Sequence, residues 1–131
     1  MKRANYWIVG ATFDNGSIDM FDEFITRGYW YLGWETKSPE TKNVNEFIER
    51  AKDIKVNDRI AIKQLLGRGN KKILIKAIGI VKDIDKSEKM IYVNWIIKDL
   101  NREVPIRGHI GSIYGPFSLD ATQWIGEVFS V

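Results

Sequence analysis

The chain has 131 residues, 44% of them hydrophobic and 28% charged, with no cysteine and a single histidine, His109. That is enough for one domain with a real core, and it excludes a disulfide framework, a thiolate zinc site, a cysteine nucleophile and a cluster of histidine metal ligands. Lys and Arg total 20 against 17 Asp and Glu, and the resulting +3 allows a polyanionic partner without demanding one; the conspicuous excess is aromatic, five Trp and five Tyr.

Tyr6 to Phe13 is rich in β-formers and ends at the turn signal Asp14-Asn15-Gly16. Ser17 to Arg27 carries Ile18, Phe21, Phe24 and Ile25 at helical spacing, and Gly28 supplies a stop. Tyr29 to Trp34 reads as an extended aromatic segment, and Pro39 marks a loop. A second helix is expected from Asn43, a plausible cap with Glu46 three residues on, its apolar face made by Val44, Phe47, Ile48, Ala51 and Ile54.

From Val56 the period becomes that of strands. A turn over Val56–Arg59 leads into Ile60–Gln64, and a loop at Gly67–Asn70 leads into Lys71–Val81, with Gly79 as a bulge or kink. Asp83–Lys89 reads as a charged turn, and Met90–Ile96 as a strand in which Ile91, Val93 and Trp95 alternate with Tyr92, Asn94 and Ile96. Val104–Ile106 and Ile110–Tyr114 are short strands, and Asp120 caps a closing helix to Phe129. The sum is an α+β domain over residues 1–131, a small curved β-barrel of five or six strands with two or three helices. No apolar run approaches the roughly 20 residues of a membrane span, and the apolar stretch after the basic start is too short for a secretion signal, so a cytoplasmic protein is expected.

Catalytic signatures are sparse. His109 has no serine in a Gly-x-Ser-x-Gly elbow to serve. Gly67-Arg68-Gly69-Asn70-Lys71-Lys72 lacks the phosphate-loop spacing and runs into a strand where such a loop opens a helix. Asp22 with Glu35-x-Lys37 has the residue types of a metal-dependent nuclease, but the Glu-x-Lys pair sits at a strand exit and the Asp in a helical stretch. A non-enzymatic role needing no cofactor and no metal is therefore expected. The aromatic segment is more informative. Trp30 and Trp34 share one face of an extended chain flanked by Gly28 and Gly33, where a planar ligand can approach and stack.

In order along the chain stand Tyr6-Trp7-Ile8-Val9, Asp14-Asn15-Gly16-Ser17, Gly28-x-Trp30, an amphipathic helix, Asp58-Arg59-Ile60-Ala61-Ile62-Lys63, Ile75-Lys76-Ala77-Ile78-Gly79-Ile80-Val81 and Val93-Asn94-Trp95. This series resembles the PUA-like superfamily in its EVE and YTH branch. It is most similar to the domain that precedes the GTPase motor of McrB-type modification-dependent restriction systems. The resemblance implies a module that flips a modified, methylated base out of DNA into an aromatic cage, with RNA as the alternative. By position it implies that Trp30 is a cage wall, that Asp14 and Asn15 bond the base edge, that Lys63 lies near the pocket mouth and that Trp95 is structural. The YTH loop carrying the second wall has no counterpart here, so Trp34 or Trp7 would replace it. Arg68, Lys71, Lys72 and Arg107 are the expected backbone contacts. A GTPase motor and a nuclease subunit, fused or separate, are the expected protein partners.

Overall fold

The computed structural model describes residues 4–13, 18–31, 49, 51–67, 69–87, 90–106, 113–118 and 123–130. Strand β1 (Tyr6–Gly10) is followed by a two-residue pair, β2 (Thr12–Phe13) and β3 (Ile18–Asp19), which turn back on each other. Helix α1 (Phe21–Arg27) and the short β4 (Tyr29–Trp30) come next. Then follow β5 (Arg59–Leu65), β6 (Lys72–Asp85), β7 (Met90–Ile97), β8 (Arg102–Pro105), β9 (Ile113–Phe117) and helix α2 (Gln123–Phe129).

The described residues thus form an α+β domain around a seven-stranded sheet in the order β4-β7-β6-β5-β1-β9, with β8 paired to β6. Only β1 and β5 run parallel; their register sets Trp7 beside Ile60 and Gly10 beside Lys63. Among the described residues the strand order does not close into a ring. No described helix is long and apolar enough to cross a membrane.

Two cores lie on the two faces of the sheet. Trp7, Val9, Ile60, Ile62, Ala77, Val93 and Trp95 point to one, covered by Phe24 of α1 together with Trp30 and Ile54. Ile8, Ala61, Ile75, Ile78, Val104 and Tyr114 point to the other, covered by Trp124, Ile125, Val128 and Phe129 of α2. This is the period-two alternation of strands buried on both faces.

Several expected boundaries move, each for a local reason. The first strand breaks at Ala11, because the Ala11 carbonyl accepts the Met20 N–H at 2.8 Å and the chain leaves the sheet. The first helix starts at Phe21, not Ser17: Ile18 and Asp19 are held as a strand, and the Asp19 carboxylate accepts the Phe21 N–H. The strand expected to end at Val81 runs on to Asp85, since Asp83, Ile84 and Asp85 pair with Tyr92, Ile91 and Met90. Asn43 and most of the second expected helix lie outside the described residues, as do Asp120 and residues 110–112 of the strand expected over Ile110–Tyr114; Glu49 and Ala51 are helical.

Other expectations hold. Gly28 ends α1 in the left-handed conformation (φ 76°), its N–H donating to the Phe24 carbonyl at 2.8 Å. Its own carbonyl then accepts the Val93 N–H, which docks β4 on β7. In β7, Ile91, Val93 and Trp95 are buried as the alternation requires. At Gly79 the ladder to β7 shifts register, and a Cβ there would stand 2.8 Å from the Trp95 ring and 2.9 Å from the Asn94 carbonyl. The glycine makes room for the indole.

One buried carboxylate ties these pieces together. Asp58 is 4% exposed. It accepts the Trp7 indole N–H at 2.9 Å, the Lys55 N–H at 2.9 Å and the Asn5 N–H at 3.1 Å, while its backbone carbonyl accepts the Val81 N–H. Removing the side chain leaves the buried Trp7 N–H unsatisfied and takes the partner from two part-buried backbone donors. Asp58→Ala is expected to cost about 3 kcal/mol. For a domain of this size that is a drop of about 10 °C in melting temperature, read by thermal unfolding.

Candidate functional site

The aromatic excess goes mainly into the core. Trp7, Trp30, Trp95 and Trp124 are 0%, 1%, 5% and 8% exposed. A buried indole needs a partner for its N–H, and each has one. Trp7 donates to Asp58, Trp30 to the Gly10 carbonyl at 2.8 Å, Trp95 to the Phe24 carbonyl at 2.9 Å, and Trp124 to the Pro105 carbonyl at 2.7 Å. Trp30, expected as a cage wall, therefore stands inside the core with no ring face open, and so does Trp7. Trp34 and the edge-reading pair Asp14 and Asn15 lie outside the described residues.

Trp30 instead acts through its N–H on the end of β1. Its indole holds the Gly10 carbonyl at the last residue of β1, and the next carbonyl, Ala11, holds the Met20 N–H. Thr12 and Phe13 then pair with Asp19 and Ile18. The segment carrying Asp14 and Asn15 thus springs from a root bonded on both sides. Around it Tyr29 and Tyr31 meet Phe24 edge-on, with centroids 5.8 and 5.6 Å away, and Tyr29 donates its hydroxyl to Glu23 at 2.8 Å. Burial, and then that carboxylate, push the Tyr29 phenol up to about 12, so it stays a neutral donor.

Lys63 is brought to the same strand end but not to the same face. It pairs with Ile75 and follows Ile62, so it shares the face of Ala61 and Ile75, opposite the face of Trp30 and α1. It is 7% exposed, and burial alone lowers its ammonium from the ordinary 10.5 to about 8.

The β5–β6 hairpin has an open tip. Leu65 is 44% exposed, Lys71 and Lys72 are exposed, and the Lys72 N–H donates to the Asn70 side chain at 2.9 Å. Arg68 and Arg107 lie outside the described residues. Of the nuclease set, Asp22 is exposed on α1, whereas Glu35, Lys37 and also His109 lie outside them.

Two residues were passed over in the sequence. Asp58 looks like an ordinary turn residue, and nothing local says that Trp7 will bond to it. Lys76 stands where the Ile73, Ile75 series changes parity to Ile78, a shift that is itself the signature of a bulge. Comparison of the chain with protein-family models and with curated proteins returns no match.

Two outcomes follow for stability. Trp30→Ala is expected to cost about 3–5 kcal/mol through the cavity it leaves, measured by urea unfolding, so it tests packing rather than binding. For Lys63, the unfolded chain binds more protons than the folded one between about pH 8 and 10.5, so stability rises with pH across that window. Lys63→Met is expected to remove that rise, read as a flat stability profile across the same pH window by urea unfolding.

Proposed function

We propose that this domain is a nucleic-acid-binding module that reads a modified base in DNA. We further propose that it serves as the specificity element of a modification-dependent restriction system alongside a GTPase motor and a nuclease. The observation that carries the reading is the doubly bonded root at Gly10 and Ala11, from which the Asp14–Asn15 segment springs. Hydrogen-bonding groups that discriminate a base edge must be held rigidly, because selectivity comes from leaving a wrong base's partners unpaired.

In this reading Trp30 positions the root, Trp34 stacks on the flipped base, and Asp14 and Asn15 bond its edge. Flipping costs a few kcal/mol. Stacking on an indole returns about 1–3 kcal/mol, and a methyl group adds about 0.8 kcal/mol of apolar contact. Lys71 and Lys72 with Arg68 hold phosphates from the hairpin tip, and Arg107 is a further backbone contact. Lys63, on the opposite face of the sheet, stands outside this set of contacts. The architecture we read behind this is a PUA-like barrel. The fourteen-residue β6, shared among β5, β7 and β8, supports it, since a long strand common to two ladders is how small barrels turn their corners.

The test is fluorescence anisotropy with short DNA duplexes carrying methylated or unmodified adenine or cytosine, and an RNA of the same sequence. We expect tighter binding to one methylated duplex, and a loss of tenfold or more in Trp34→Ala with an unchanged melting temperature. Equal affinity for modified and unmodified strands of every type would overturn the base-reading assignment. Preference for the RNA would move the site to that partner.

A further inference from the structure

We propose that Lys76 is the cation that binds the DNA phosphodiester beside the base site, with Lys72 the next contact along the same open face; this rests on the nucleic-acid reading above. The register makes the case. Ile62 pairs with Ala77 and Lys63 with Ile75, so Lys76 is the extra residue of a bulge in β6. The bulge changes the parity of the strand. Ile75 faces the core under α2, while Ala77 faces the core under α1. Lys76 shares the face of Ala77, since its ammonium lies 4.1 Å above the ring of Phe21, the first residue of α1.

That position adjoins the root of the Asp14–Asn15 segment, because Met20, next to Phe21, carries the N–H bonded to Ala11. Lys63, the lysine the sequence suggested for this place, is on the other side of the sheet. The bulge brings Lys76 to the α1 face, whereas the plain alternation of β5 leaves Lys63 on the other.

The surroundings suit an anion. Lys72, Leu74 and Lys76 alternate onto one face of β6, and that stretch of β6 pairs with Gln64 of β5 and Glu103 of β8. Glu103, at the β8 edge, is the acidic residue of this face. Neither Lys72 nor Lys76 makes an ion pair among the described residues. The Phe21 ring steadies the Lys76 ammonium without neutralising it, as a carboxylate would, so its charge is left for phosphate. A bulge is also a stiffer platform for a side chain than a hairpin tip, and it re-aims the residue it carries.

The experiment measures the affinity of the full chain for a methylated and an unmodified DNA duplex across a range of salt concentrations. Four variants are compared: Lys76→Gln, Lys76→Arg, Lys63→Met and, as a control, Lys86→Gln at the far end of the β6–β7 hairpin. Removing one phosphate contact flattens the slope of log affinity against log salt by about 0.9. Lys76→Gln is expected to do this and to weaken both duplexes by the same factor. Lys76→Arg is expected to restore the slope, and Lys63→Met and Lys86→Gln to leave it as in the parent. A parent slope retained in Lys76→Gln, or a slope flattened by Lys63→Met instead, would overturn the assignment of Lys76 while leaving DNA binding intact. Failure of the unsubstituted chain to bind either duplex would sink both this inference and the reading on which it rests.

Discussion

The Asp58 carboxylate is the constraint on which the arrangement of strands depends. It sits at the entry to β5, yet its partners come from before β1, from β1 itself and from the turn that precedes it. A buried carboxylate is unfavourable unless its oxygens accept hydrogen bonds, so its burial selects the one docking of β1 that delivers the Trp7 indole and the Asn5 amide together. That docking is the parallel β1–β5 pair. A parallel pair cannot be made by a tight turn, and the long connection between the two strands carries α1, β4 and the Gly28–Trp34 segment. Asp58 therefore closes the connection in which Asp14, Asn15, Trp30 and Trp34 all fall.

Once β1 is placed, its last carbonyls become the anchor for the proposed site. The Gly10 carbonyl at the end of the strand turns to Trp30, and the Ala11 carbonyl just beyond it to Met20. The same indoles that fill the core also carry the directional bonds. Trp95 reaches back to the end of α1, and Trp30 to the end of β1. Hydrophobic burial sets which side of the sheet these rings occupy, and the single N–H of each sets the depth and angle. The core and the site are in this sense one construction, which is why large changes at Trp30 act on folding first.

Much of the chain could be read locally. The alternation of Ile91, Val93 and Trp95, the left-handed stop at Gly28 and the turn before β5 are consequences of backbone sterics and side-chain period, and these operate over a few residues. The reading faltered where a short segment had two local options. Ile18 and Asp19 fit a helix by spacing, but backbone pairing with Thr12 and Phe13 held them as a strand. Asp83 looks like the start of a turn by composition, but the partner strand extends past it and a charged side chain is tolerated at its exposed position.

What the sequence determined by itself is the class of domain, the approximate position of most strands, and the excess of indoles that had to be buried or used. Which of those happened was set by long-range contacts. Trp7 and Trp30 are buried because acceptors 51 and 20 residues away are brought to their N–H groups. Lys76 and not Lys63 shares the face of α1, because one extra residue in β6 changes the parity of that strand while β5 keeps its alternation. Both outcomes turn on contacts between elements that no local pattern contains. A period-two pattern says which residues share a face, but the register of the neighbouring strand says which face that is.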